Sequence, residues 1–340
     1  MHCLYRLTIS IFVVSMAFGW GAVGDAQHPL RQFLWGDNYN CCKTCSQDAT
    51  DANAEPGEAA AGTTDRPARP LAGDRAADGV TWHGDYLDAI AIARQQNRML
   101  LVYFCDACGQ GPCNRFKAET LDDPQVRCKL RDYVCVQVSV GAKVTIEGQE
   151  IKLLEHAAFA EMLGRSGIAI IDYRSKDPDL CGSVVSTFPI TESLWYTPEQ
   201  MAVILDLPPG TLTQRTLIYA VRIHPEKPAS TDGQPSRDLL EEAQSHSQYQ
   251  AAIERQGHHF WASRFVRIVA RLPGGLTARE VCAESWPGQR LVDAAIECVR
   301  CWRLSDGHWS AVRAPNQGFG YDMRCGNNGV WYATGIFGLR

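Results

Sequence analysis

After residue 20 this chain has no stretch apolar enough to cross a bilayer, which takes roughly 20 consecutive apolar residues. It has no internal repeat, no P-loop, and no dinucleotide-binding glycine pattern in a suitable context. It also has no surplus of positive charge. The net charge is -5, which gives no electrostatic case for nucleic acid as a partner. From Asp48 to Asp78 large apolar residues are almost missing and Ala, Gly, Asp, Thr and Pro dominate. Such a segment cannot bury enough surface to offset the entropy of ordering, so residues 27–79 read as a flexible tether and linker. Within it, Cys41-Cys42-Lys43-Thr44-Cys45 lacks the second half of a zinc pattern, which favours disulfide formation over metal binding there.

What is present begins with an export signal. Arg6 precedes an apolar run from Leu7 to Trp20, and Gly24 and Ala26 sit where a peptidase cutting after Ala26 expects small residues. The alternative is an uncleaved anchor. Removal of residues 1–26 leaves no transmembrane span and implies a secreted, periplasmic or cell-envelope location. The chain has 14 cysteines, and Cys3 departs with the signal. The remaining odd number, in a compartment that permits disulfides, requires at least one free thiol or an intermolecular bond. The length after the signal suits two ordinary domains.

Order is expected from Val80. Helices are predicted over 85–97, 112–120, 125–131 and 151–163, and strands over 99–104, 133–140, 167–173 and 182–186. Strands alternating with helices predict an α/β domain over 80–207 with a central sheet. Leu207-Pro208-Pro209-Gly210 marks a boundary, and residues 208–340 form a second unit. There, helices are expected over 211–224, from Ser236 onward and over 288–302. A closing hairpin turns on Gly326-Asn327-Asn328-Gly329.

The first unit resembles thioredoxin-fold proteins through Asp85-Tyr86-Leu87-Asp88-Ala89-Ile90, the Met99 to Phe104 run, the cysteines Cys105, Cys108 and Cys113, and Leu121-Asp122-Asp123-Pro124. That fold carries Cys-x-x-Cys at a helix N-terminus, where the dipole lowers one thiol's pKa. Here Cys105-Asp106-Ala107-Cys108 has the spacing but follows the strand closely and holds an Asp. Cys108 and Cys113 lie nearer the expected place but are separated by four residues. The resemblance therefore implies a thiol-disulfide oxidoreductase at Cys108, Cys113 and Cys105, or the fold alone with structural cysteines. Pro189 sits where the family carries a cis-proline. Cys128, Cys135 and Cys181 read as buried small hydrophobes or structural bonds.

The second unit resembles the CAP/SCP-like (cysteine-rich secretory protein, antigen 5, pathogenesis-related) domains of bacterial type. The residues that carry this are Ala243-Gln244-Ser245-His246-Ser247, Gly257-His258-His259, Ala283-Glu284, Trp302 to His308, Phe319-Gly320-Tyr321 and Trp331 to Gly338. The resemblance implies an α/β/α sandwich with a pocket formed by His258 or His259, Glu284 and His308; His259 is preferred because it lies just past the helix end. Two imidazoles and a carboxylate can hold a divalent metal, with Zn2+ the expected ion, or act as an acid/base set. Ser285 and Ser305 depart from the family's better-known pattern. His308 has the bland alternative of capping the helix over 288–302, and His246 that of a structural histidine. Cys298 is expected to pack or to bond Cys282 or Cys325. The expected function is a binding module for a peptide, glycan or lipid, with metal-assisted hydrolysis or thiol exchange as alternatives.

Overall fold

The computed structural model describes residues 79–106, 112–146, 149–191 and 194–339. The expected signal, the tether with Cys41, Cys42 and Cys45, and Cys108 lie outside the described residues. Among the described residues no helix is long and apolar enough to cross a membrane.

The chain enters through β1 (Trp82–His83) and α1 (Tyr86–Gln95), where the Asp85 carboxylate caps the helix by accepting from the Asp88 amide at 2.8 Å. β2 (Met99–Phe104) follows, then α2 (Pro112–Phe116), which widens into a π turn over Lys117–Leu121, and α3 (Pro124–Leu130). β3 (Tyr133–Val138) leads to a hairpin of β4 (Lys143–Ile146) and β5 (Gln149–Lys152). β6 (Gly167–Asp172), β7 (Ser183–Pro189) and α4 (Pro198–Leu205) complete the first layer system. Its sheet has the order β1-β3-β2-β6-β7, with β1, β3 and β2 parallel and β6 and β7 antiparallel. Every residue of β2 is buried because both faces are covered. Leu100, Val102 and Phe104 pack with α1, while Leu101 and Tyr103 pack towards α2 and α3.

One predicted helix is absent. Residues 151–163 start in β5 and continue as 3-10 turns over Leu153–Glu155 and Ala157–Met162. His156 is extended between them, and its ring accepts from the Ala158 amide at 3.2 Å. The spacing that suggested a helix still buries Leu154, Ala158 and Met162 in one cluster.

The second part starts with α5 (Leu212–Arg222), capped by a Thr211/Gln214 capping box. β8 (Gln234–Pro235), α6 (Arg237–Ala252), α7 (Trp261–Arg271), β9 (Thr277–Glu284), α8 (Leu291–Arg303), α9 (Asp306–Arg313), β10 (Gly318–Cys325) and β11 (Trp331–Leu339) follow. Its sheet has the order β8-β10-β11-β9. α6 and α7 cover one face and α5, α8 and α9 the other, an α/β/α arrangement. α6 lies so close to β10 that a Cβ at Gly320 would meet the Leu239 backbone. The hairpin has the expected turn, with Cys325 opposite Trp331. α7, α9 and β9 were not foreseen.

α5 joins the two sheets. Arg215 is wholly buried; it donates to Ser186 Oγ on β7 at 2.8 Å and to the Leu207 and Pro208 carbonyls at 2.8 and 2.9 Å. Tyr219 packs edge-on against Phe188 of β7, with centroids 4.8 Å apart. Thr213 donates to the buried Asp322 carboxylate on β10 at 2.7 Å. The core is accordingly continuous from the first sheet to the second.

Cys135 and Cys181 are buried, as expected. Cys128 is exposed rather than buried. Cys298 lies in the core face of α8 as a free thiol, bonded to neither Cys282 nor Cys325, which are also free. No cis peptide bond occurs among the described residues, so Pro189 is trans.

Arg215→Ala leaves three acceptors, two of them buried, without their donor. We expect urea denaturation to show a loss of about 3 kcal/mol or more in a transition shared by both sheets; a loss under about 1 kcal/mol contradicts the bridging role.

Candidate functional site

β9 carries the site's anionic centre. Alternation along the strand sends Val281 and Ala283 into the core beneath α8, and Ala278, Glu280 and Cys282 to the α6/α7 side. Glu280's side chain is 1% exposed, so its charge must be met inside the protein. Three elements meet it. Arg264 of α7 ion-pairs with Oε2 at 2.5 Å. His258, in the loop between α6 and α7, reaches Oε1 with Nδ1 at 3.0 Å. His246 of α6 places Nε2 3.7 Å from the same oxygen. Burial alone would raise the Glu280 carboxyl. The hydrogen bond from His258 and the ion pair with Arg264 outweigh burial and hold it below the usual carboxylate range.

A carboxylate only accepts, so Nδ1 of His258 carries a proton, which leaves Nε2 as the nitrogen directed outward. That nitrogen faces Nε2 of His308 at 3.3 Å. His308 is the third residue of α9, half-buried, and burial with the neighbouring His258 lowers its pKa. It does not cap α8, which ends at Arg303.

The structure therefore brings His258 and His308 together but places His259 and Glu284 elsewhere. His258 and His259 are successive residues outside a helix and project to different sides. Nε2 of His259 donates to the Arg255 carbonyl at 3.2 Å, and its ring packs on Tyr249 with centroids 5.5 Å apart. Glu284 is exposed at the end of β9, four residues and about 13 Å along the strand from Glu280. The carboxylate facing the imidazoles is Glu280. Ser285 is occupied structurally, accepting from the Trp331 amide at 3.0 Å.

Glu280, Arg264 and Cys282 were missed because β9 and α7 were. Trp261, Phe265, Ile268, Val269 and Leu272 recur at helical spacing and carry the signal for α7. Cys282 is buried, with Sγ 3.8 Å from Nδ1 of His258. Burial first, then the Glu280 charge, pushes its thiol well up.

In the first sheet, Cys105 and Cys113 form a disulfide with Cα atoms 5.6 Å apart. Both are buried, 2% and 6% exposed, and the Tyr103 hydroxyl donates to the Cys113 carbonyl. Cys113 thus pairs with Cys105. Asp106 turns its carboxylate away to accept from Ser139 Oγ at 2.6 Å and from the Val140 amide at 2.9 Å.

No family model matches the chain. It is 32% identical over 73 residues to the thioredoxin-related protein DsbJ of Chlamydia pneumoniae, over 21% of this chain and 21% of that protein. The chain therefore spans about a fifth of that relative's length. Among solved structures, an outer surface protein of Borrelia burgdorferi is similar at 18% identity and a TM-score of 0.26, covering 32% of this chain and 77% of that one.

Burial lowers the His246 pKa from 6.5 to about 4. Unfolded chains take up this proton below about pH 6.5 and the native state only near pH 4, so stability falls as pH drops through that window. With chelator present, His246→Gln, which keeps a donor for the Gly257 carbonyl, should show a shallower loss of unfolding free energy between those pH values. Identical slopes would exclude a neutral buried His246.

Proposed function

We propose that the chain is an exported protein whose CAP/SCP-like part presents a divalent-metal and ligand-binding pocket built from His258, His308 and Glu280, with Zn2+ as the metal. The observation that carries this reading is the 3.3 Å between the two Nε2 atoms, with Glu280 on the far nitrogen of His258. Zinc–nitrogen bonds of about 2.0–2.1 Å at a tetrahedral angle put two nitrogens about 3.3–3.4 Å apart. A carboxylate on the other nitrogen of a metal-binding histidine fixes its tautomer and strengthens it as a ligand. Metal here would be Lewis-acidic and hold an oxygen-bearing group of a peptide, glycan or lipid; His258 and His308 bind it and Glu280 orients His258. Two protein ligands leave positions open for that group, which suits a binding module, and the same openness suits metal-assisted hydrolysis.

The export reading is supported by the apolar Leu7 to Trp20 run and by the cysteine content, and places the protein in the cell envelope or outside the cell.

Isothermal titration of the purified chain with zinc at neutral pH should show one exchangeable site. His308→Ala should abolish it and Glu280→Gln weaken it about 10–100-fold. His259→Ala and Glu284→Gln should leave it unchanged. No exchangeable site, or equal losses for Glu280→Gln and Glu284→Gln, would refute the pocket.

Thiol-disulfide exchange through Cys105, Cys108 and Cys113 is the second reading. The likeness to a thioredoxin-related protein favours it, and burial of both bonded sulfurs opposes it, because exchange needs an accessible thiol. We expect insulin-disulfide reduction at equal rates for the native chain and Cys113→Ser; a marked fall in the variant would carry the redox reading instead.

A further inference from the structure

Behind the His258–His308 pair lies a second set of metal-ligating side chains, which shares only Glu280 with it. Glu280 and Cys282 are two apart on β9 and so face the same way, towards α6. His246 comes down from α6 onto them. One ligand atom from each of His246, Glu280 and Cys282 lies within 4.8 Å of the other two. The His246 and Glu280 side chains are 2% and 1% exposed and Cys282 is 2% exposed, so the cluster is sealed from bulk water.

We propose that this cluster is a buried metal position for zinc or a similarly thiophilic divalent ion, held by His246 Nε2, Glu280 Oε1 and Cys282 Sγ. It is distinct from the exchangeable position between His258 and His308. Tetrahedral zinc separates nitrogen and oxygen ligands by about 3.3 Å and nitrogen and sulfur by about 3.5 Å, from Zn–N and Zn–O bonds near 2.0–2.1 Å and Zn–S near 2.3 Å. The His246 Nε2 to Glu280 Oε1 distance of 3.7 Å is close to such an edge and closes with a few tenths of an ångström of movement. The ligand set is mixed nitrogen, oxygen and sulfur, and the thiolate selects zinc over magnesium or calcium.

The surroundings accept the ion. Nε2 of His246 now donates to the Gly257 carbonyl at 2.9 Å. On metal binding that proton moves to Nδ1, and the Gly257 carbonyl oxygen, 2.9 Å from Nε2, is then free to take the fourth position. The Cys282 thiol proton leaves to solvent, so a thiolate joins the Arg264-paired carboxylate as an anionic ligand. Arg264 keeps Oε2 of Glu280. His258 still donates to the same carboxylate, so the outer pocket keeps its geometry.

A buried position fills as the chain folds and is retained on dialysis, whereas the outer one exchanges. The test is zinc K-edge X-ray absorption on dialysed full-length protein produced with zinc. The expected result is one sulfur scatterer at about 2.3 Å in the native chain and in His308→Ala, and none in Cys282→Ser or Cys282→Ala. A native spectrum without sulfur overturns the proposal, and so does a sulfur shell that survives both Cys282 substitutions. Cys282→Ala guards against misfolding as the cause, since a small apolar residue fits this buried strand position and its circular dichroism should match the native chain. The outer pocket is read separately by zinc titration: loss of the exchangeable site in His308→Ala with the sulfur shell intact assigns the two positions independently.

Discussion

A carboxylate buried to 1% exposure cannot stay charged without partners, and Glu280 dictates the arrangement of the second half of this protein. Removing an ion from water costs several kcal/mol even after relaxation. Here the compensation comes from three elements that are separate in sequence. α7 supplies Arg264, the α6–α7 loop supplies His258, and α6 supplies His246. The loop bends through Gly257 at φ 157° and Phe260 at φ 54° to deliver His258 rather than His259. The left-handed region is costly for a bulky residue such as Phe260, and that strain is borne at the point where His258 is aimed. With Nδ1 committed to Glu280, the remaining nitrogen of His258 faces His308 on α9. One buried charge thus connects strand, two helices and loop to the open face of the pocket.

The pocket rests on a sheet that is not independent of the first. α5 is buried on both sides, with Arg215 and Tyr219 turned to β7 and Thr213 to Asp322 on β10. Asp322 also accepts from Ser247 of α6, at 2.6 Å, one residue from His246. Burial pushes the Asp322 carboxyl up, against the opposing charge of Arg324 and the hydrogen bonds it accepts. A polar path therefore runs from the junction of the two sheets to the helix that carries His246. Placement of the His258–His308 pair depends on those junction hydrogen bonds.

Much of this architecture could be read from the residues. The continuous apolar run from Met99 to Phe104 is a strand buried on both faces, and the stripe of Leu291, Ala294, Ala295, Cys298 and Trp302 is a core-facing helix. The Gly326 to Gly329 turn set the closing hairpin. The losses have physical causes. Spacing over 151–163 fits 3-10 turns as well as a helix, and the Lys143–Glu150 pair across β4 and β5 gave no local signal. β9 carries Glu280 and Cys282 on its α6/α7 face, where the charged cluster sits, and Arg279 on the other, so its alternation looked broken. Glu284 rests on likeness to a motif; the strand places Glu280, four positions back, beside the imidazoles. His258 and His259 are indistinguishable by type, and only the loop's path separates them. Of the two readings open for Cys298, packing holds and a bond to Cys282 or Cys325 does not; residue type alone cannot separate them.

Glu280 fixes the tautomer and direction of His258. Long-range nitrogen–proton NMR correlation of the histidine rings tests it directly, with native protein, Glu280→Gln and Glu284→Gln compared at neutral pH with chelator present. The account predicts that His258 holds its proton on Nδ1 in the native chain and in Glu284→Gln, and loses that preference in Glu280→Gln. A His258 pattern unchanged by Glu280→Gln, or altered equally by Glu284→Gln, would contradict it.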